Sequence, residues 1–175
     1  MTDQQRQPPG ASHESDSNPE AAADLAWLTE HQFQGQVSKV APNTARSNNL
    51  LKQAQTHINS ARTLAATDPT LALAGLHDGV RKAVDADAGA LGFRFENKPG
   101  AHKRVLEYGA VAIGPAVDPD DFAQADRLRS RRHEAEYGEV PSHSITPEVI
   151  GSFAEVADRI VKAAIARQIA RTAGP

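Results

Sequence analysis

The stretch Asp126-Arg127-Leu128-Arg129-Ser130-Arg131-Arg132-His133-Glu134-Ala135-Glu136-Tyr137-Gly138 concentrates side chains that handle phosphate and protons. Four arginines fall within six residues, followed by a histidine and, four positions on, a tyrosine. Arginine presents a planar fork of donors that matches a phosphate, and histidine exchanges a proton near neutral pH. Helical geometry sorts these residues by face. Arg132 lies four residues after Leu128 and seven after Ala125, so it continues their apolar face. A guanidinium taken out of water needs an anion or a carbonyl, and Glu136, one turn further on, is its nearest partner in sequence. Arg129, His133 and Tyr137 are spaced by four and share the adjoining face, with Arg127 on roughly the opposite side. One reading is a polar notch in which Arg holds a phosphate and His transfers a proton. The other is a solvated Arg/Glu helix whose long stems cover apolar surface.

A second polar set precedes it. Asp78, Arg81, Lys82 and Asp85 stand at i, i+3, i+4 and i+7, with His77 beside them. A ladder of surface ion pairs explains that spacing, each pair contributing roughly a few tenths of a kcal/mol, and it suits Lys82 and Asp85 best. His77, Asp78 and Arg81 face the Arg132 notch if their two helices pack side by side.

Other chemistries lack their residues. The chain has no cysteine, which removes disulfides, thiolate metal sites and a cysteine nucleophile. Its seven histidines form no HxxxH or HExxH pair, and His77 and His102 are separated by a loop, so no metal is expected. Neither a phosphate-binding glycine loop nor a GxSxG elbow is present, and no cofactor is expected. Aromatic residues make up 5% of the chain, too few for a base-stacking platform.

The elements that must position these residues read as helices. Asn18-Pro19-Glu20 opens a short one that carries Leu25, Trp27 and Leu28 and ends near Phe33 and Gly35. From about Thr44, Leu51, Ala54, Ile58, Ala61 and Ala65 recur at steps of three or four. Asp68-Pro69 starts a helix with Leu73, Leu76, Val80, Ala83, Val84 and Leu91 on one face. Gly75, Gly79 and Gly89 within it imply close approach of a neighbouring helix, or simple tolerance. Asn97-Lys98-Pro99-Gly100 is a turn, after which a helix from about Ala101 carries Val105 and Leu106. Asp118-Pro119-Asp120-Asp121 opens the arginine-bearing helix, and Gly138 and Pro141 end it. Thr146-Pro147-Glu148 opens the last, with Val149, Phe153, Val156, Ile160, Ala164 and Ile169 as its stripe. No segment reads as a strand. The expectation is an all-α, antiparallel bundle of four to five helices over 43–171, preceded by a short helix and linker over 19–42 and a disordered acidic arm over 1–18.

Charge divides the same way. The 175 residues carry 19 basic and 22 acidic side chains, a net −3. Residues 1–30 hold one basic and six acidic residues, a local −5, so the remainder, with 18 basic and 16 acidic residues, is +2. A body so weakly basic does not predict nucleic-acid binding from charge alone. No run reaches the roughly 18 apolar residues of a membrane span, and the N-terminus lacks a secretory pattern. A cytoplasmic protein is the expectation.

The stretch Leu128–Tyr137, followed by a loop and Ile145-Thr146-Pro147-Glu148 opening a long final helix, resembles the HEPN superfamily. So do "LALAGLHDGVRKAVDADAGALGFRF", "KPGAH" and the earlier helix ending "INSARTLA", and the likeness spans roughly residues 43–167. The resemblance implies a small helical bundle, usually a homodimer, and in many members a metal-independent RNase with an Arg-x(4–6)-His motif at a dimer cleft. Such members often act as toxins paired with a nucleotidyltransferase-type antitoxin. By count, Arg127-x5-His133 matches the motif, although helix geometry separates those side chains by about 120°. The register that keeps the apolar face puts Arg132 on the motif arginine, His133 directly after it and Tyr137 at the usual His position. Tyrosine ionises near about 10, so His133 takes over the proton transfer, or catalysis is lost and an RNA- or partner-binding bundle remains. Tyrosines near this motif are nucleotidylated in some such systems, which the resemblance extends to Tyr137. Arg132, His133 and Tyr137 are thus the expected catalytic residues, with Arg129, Glu136, Asp78, Arg81 and His77 in support.

Overall fold

A computed structural model describes residues 19–138 and 144–173. The arm over 1–18 and the residues just after Gly138, Pro141 included, lie outside the described residues. Six α-helices are present among them: α1 (Pro19–Phe33), α2 (Thr44–Leu64), α3 (Pro69–Ala90), α4 (Ala101–Ala112), α5 (Asp121–Glu136) and α6 (Pro147–Ala173).

The helix starts follow local chemistry. Asn43 caps α2 by accepting from the Arg46 amide at 2.8 Å, and Asp68 caps α3 by accepting from the Leu71 amide at 2.9 Å. Each supplies an acceptor to an amide with no partner within the first turn. Pro69 occupies the first turn of α3, where its missing N–H costs nothing.

The helix-only expectation misses one element. Val37–Lys39 (β1) and Phe93–Phe95 (β2) form an antiparallel ribbon, with Val37 opposite Phe95, Ser38 opposite Arg94 and Lys39 opposite Phe93. Strands of three residues are too short to show period-two alternation. Gly92 makes the chain reversal after α3 with φ +80°, and a Cβ there would stand 2.8 Å from the Val40 carbonyl oxygen.

Five helices, α2 to α6, fall within 43–171, and the short helix before them, α1, packs against α4 and β1. Leu28 of α1 is fully buried, and the Trp27 ring lies 5.4 Å from that of Tyr108 and 6.3 Å from that of Phe95. Central α3 touches α2, α4, α5 and α6. It presses closely on α2: a Cβ at Gly79 would come within 3.2 Å of the Ala54 carbonyl oxygen and the Ile58 side chain. Close approach thus accounts for that glycine. Opposite directions of α2 and α6 follow from Gln55 reaching Asp158 while Arg62, further along α2, reaches the earlier Ala154 carbonyl.

Leu51, Ala54, Ile58, Leu73, Leu76, Val80, Val84, Phe122, Ala125, Leu128, Ile160 and Ala164 are all buried, as the helical spacing implies. Ile169 departs from its expected stripe and is 62% exposed. No described helix is long and apolar enough to cross a membrane.

Candidate functional site

Helices α3, α4 and α5 meet on one side of the molecule, and each brings cationic or imidazole groups to that junction. From α3 come His77 and Arg81, from α4 comes His102, and from α5 come Arg129 and Arg132. His77 is buried at 4% exposure, whereas His102 lies exposed at the rim. Their ring centroids are 5.2 Å apart. The turn before α4, ending at Gly100 with φ +79°, sets His102 at the helix start.

The charges around these rings decide their protonation. Burial is the largest influence on His77; the neighbouring His102, Arg132 and Arg81 act in the same direction, against Asp78. The result moves His77 down to about 4. His102 is lowered by burial, then by Arg81, Arg132 and Arg129. Both imidazoles are therefore neutral at pH 7, with a nitrogen lone pair available to accept a proton.

Each arginine has a carboxylate partner. Arg81 reaches Asp78 at 2.5 Å and Asp85 at 2.6 Å. Arg129 reaches Asp126 at 2.7 Å, and Arg132 reaches Glu136, the partner one turn on, at 2.7 Å. Asp78 also takes a hydrogen bond or charge contact from His57 at 2.8 Å and Lys82 at 3.5 Å. Burial would raise the Asp78 carboxyl, but Arg81, Lys82 and His57 together hold it below the ordinary aspartate value. Asp85 differs: burial outweighs Arg81 and raises it. Lys82 and Asp85 are more enclosed than a surface ladder requires, with side-chain exposures of 15% and 18%.

The eight expected residues divide into two groups. His77, Asp78, Arg81, Arg129 and Arg132 share the junction; Glu136 anchors Arg132 from a half-exposed position. His133 and Tyr137 are exposed, the latter at 69%, and their rings pack against each other with centroids 4.5 Å apart. In the sequence a loop separates His102 from His77, which hides their pairing. Its signal was only the Lys98-Pro99-Gly100 turn, which returns α4 alongside α3.

A second polar network was also missed. Asp87 of α3 accepts from Arg171 at 2.7 and 3.1 Å, from Arg167 at 3.1 Å and from the Tyr108 hydroxyl at 2.7 Å. Arg167 also holds Asp24 of α1. Burial pushes Asp87 up, but the hydrogen bonds and charge of Arg171, with Arg167 and Tyr108, hold it below the usual aspartate range. Asp24 is raised by burial in spite of Arg167. Burial and the adjacent Asp87 charge push Tyr108 far up, so its hydroxyl stays protonated and donates. Asp87 and Tyr108 are enclosed, so this network is a clasp between helices with no exposed reactive group.

No described group of three or more His, Asp or Glu is arranged to hold a metal ion. The chain matches no family model, and no curated protein or solved structure shows significant similarity to it.

Proposed function

We propose that the chain is a HEPN-like, metal-independent RNase, of the kind found in toxin–antitoxin or defence systems, that works at the α3–α4–α5 junction. The observation that carries this reading is the pair of neutral imidazoles, His77 and His102, beside Arg81, Arg129 and Arg132. Arg129 and Arg132 bind the phosphate and stabilise the charge that builds on it as it is attacked. The accessible His102 takes the proton of the RNA 2′-hydroxyl. The 2′-oxygen bonds to phosphorus, the bond to the 5′-oxygen breaks, and the products are a 2′,3′-cyclic phosphate and a 5′-hydroxyl. Solvent at the open rim supplies the proton to the leaving oxygen. In a homodimer two such junctions come together at one cleft.

The test is RNA cleavage by purified protein in excess chelator. Wild type cleaves, and Arg132→Ala and His102→Ala each lower the rate by about a hundredfold. Metal-free cleavage that survives Arg132→Ala overturns the assignment.

A second reading rests on a different observation: each of the three arginines already has a carboxylate within 2.7 Å. Under it the bundle is catalytically inactive and binds RNA or a nucleotidyltransferase-type partner through the exposed side of α5. It predicts no turnover at micromolar protein, and loss of that binding when Arg127, His133 and Tyr137 are replaced together.

A further inference from the structure

Next to His102 a cavity of about 410 Å³ opens between α3, the β2–α4 turn and the start of α4. Its size falls within the roughly 300–1,000 Å³ range of small-ligand sites. Asp78, Arg81, Phe95, Glu96, Asn97 and His102 supply the walls that matter for binding. We propose that this cavity holds the nucleobase adjoining the bound phosphate and selects guanine. The inference rests on the phosphodiester reading of the junction and adds to it the identity of the base.

The wall charges exclude the phosphate from the cavity itself. Asp78 and Asp85 are both bound to Arg81, and Asp78 also to Lys82, so these groups nearly neutralise one another. Glu96 then remains as an acidic wall. Among the described residues its hydrogen-bond partner is the Ser38 hydroxyl, which donates to Oε1, and Arg94 approaches that same oxygen only to 3.9 Å. Oε2 is left to accept. A phosphate meets repulsion there, and a neutral group rich in donors does not.

Guanine is that group. A carboxylate only accepts hydrogen bonds, and the Watson–Crick edge of guanine presents two adjacent donors, N1–H and the 2-amino group. Uracil offers one N–H, and adenine and cytosine one amino group each beside an acceptor. The exposed Asn97 amide has both a donor and an acceptor for the guanine O6 side. Phe95, with Ala101 and Val105, provides the apolar surface for the ring. The Phe95 ring packs against those of Tyr108 at 5.8 Å and Trp27 at 6.3 Å. Bases splayed from single-stranded RNA are read in this way, by their edges and by an aromatic contact.

Two measurements separate this proposal from the phosphodiester reading. In the first, 5′-GMP, AMP, CMP and UMP are titrated separately into full-length protein by calorimetry or NMR. GMP binds about tenfold or more tightly than the others. Glu96→Gln, which keeps a partner for Ser38, and Asn97→Ala both shrink that margin several-fold. Equal binding of the four nucleotides, binding of none, or a margin unchanged in both variants overturns the proposal, whatever the nuclease result. So does spermidine binding that GMP fails to displace, which would assign the cavity to a cation. In the second, cleavage sites on a random RNA are mapped. Cuts concentrate beside G in the wild type and spread to other bases in Glu96→Gln; an even distribution in the wild type overturns the base assignment while leaving the nuclease reading standing.

Discussion

Two arginine-rich networks lie on different flanks of α3, and they are built on opposite logic. In the Asp24–Asp87–Arg167–Arg171–Tyr108 clasp the carboxylate is the centre: Asp87 is fully enclosed and takes four hydrogen bonds from three side chains. At the α3–α4–α5 junction the uncharged imidazoles are the centre, and the arginines stand around them with partners of their own. An enclosed carboxylate with both oxygens bonded, as at Asp87, holds helices together. Neutral bases in a positive field, one of them reachable from solvent, are poised to act on something else.

The largest effect that would break this contrast is on the clasp. Asp87→Ala leaves Arg167 and Arg171 short of their main anion and lowers stability by about 3–5 kcal/mol in urea unfolding. A loss under about 1 kcal/mol would mean that the clasp is no more than a solvated ion pair.

Acid separates the two networks along the pH axis. His77 sits at about 4 in the fold against an ordinary value of 6.5, so the unfolded chain binds the extra proton. Stability is therefore lost as pH falls from 6.5 toward 4, by up to about 3 kcal/mol. Asp87, held low, gives stability that persists above its ordinary value of 3.8 and fades only below it. Asp24 and Asp85, raised by burial, change stability in the opposite sense to Asp87, favouring the fold as pH falls. Comparing wild type with His77→Leu isolates the imidazole contribution: the two unfolding curves converge in slope above pH 7 and diverge below 6. Parallel curves across that interval would place no neutral imidazole at the junction.

Arg132→Ala sharpens the contrast from the other direction. Its ion pair with half-exposed Glu136 contributes under about 1 kcal/mol to stability, while RNA cleavage drops by about a hundredfold. Thermal unfolding and a chelator-treated cleavage assay on one preparation read both numbers. The smallest expected effect is at Tyr137. Tyr137→Phe shifts stability by less than about 0.5 kcal/mol and leaves the cleavage rate far closer to wild type than His102→Ala does; a larger loss than at His102 would return the chemistry to the exposed end of α5.

Most helix starts were legible because their signals are local: Asp68-Pro69 and Thr146-Pro147 carry their own caps and turns. The inward direction of Arg132 and its Glu136 partner follow from the 3.6-residue period alone. The β1–β2 ribbon was not legible, since pairing across more than fifty residues leaves no mark on three-residue strands. The same holds for His77 and His102, which are brought together by the return of α4 along α3, and for Asp24 and Arg167, 143 positions apart. A periodicity reports which way a side chain faces, and it is silent about which helix it will meet.

That last separation has a consequence for the order of events during synthesis. Asp24 emerges from the ribosome early, but its arginine partners are on α6, so α1 has no clasp until most of the described chain has been translated. Trp27 finds its ring partners sooner, once Phe95 and Tyr108 of β2 and α4 have been made. The packing of α1 on α4 thus precedes its clasp to α6, and until α6 arrives Asp24 and Asp87 stand without the arginines that offset their burial.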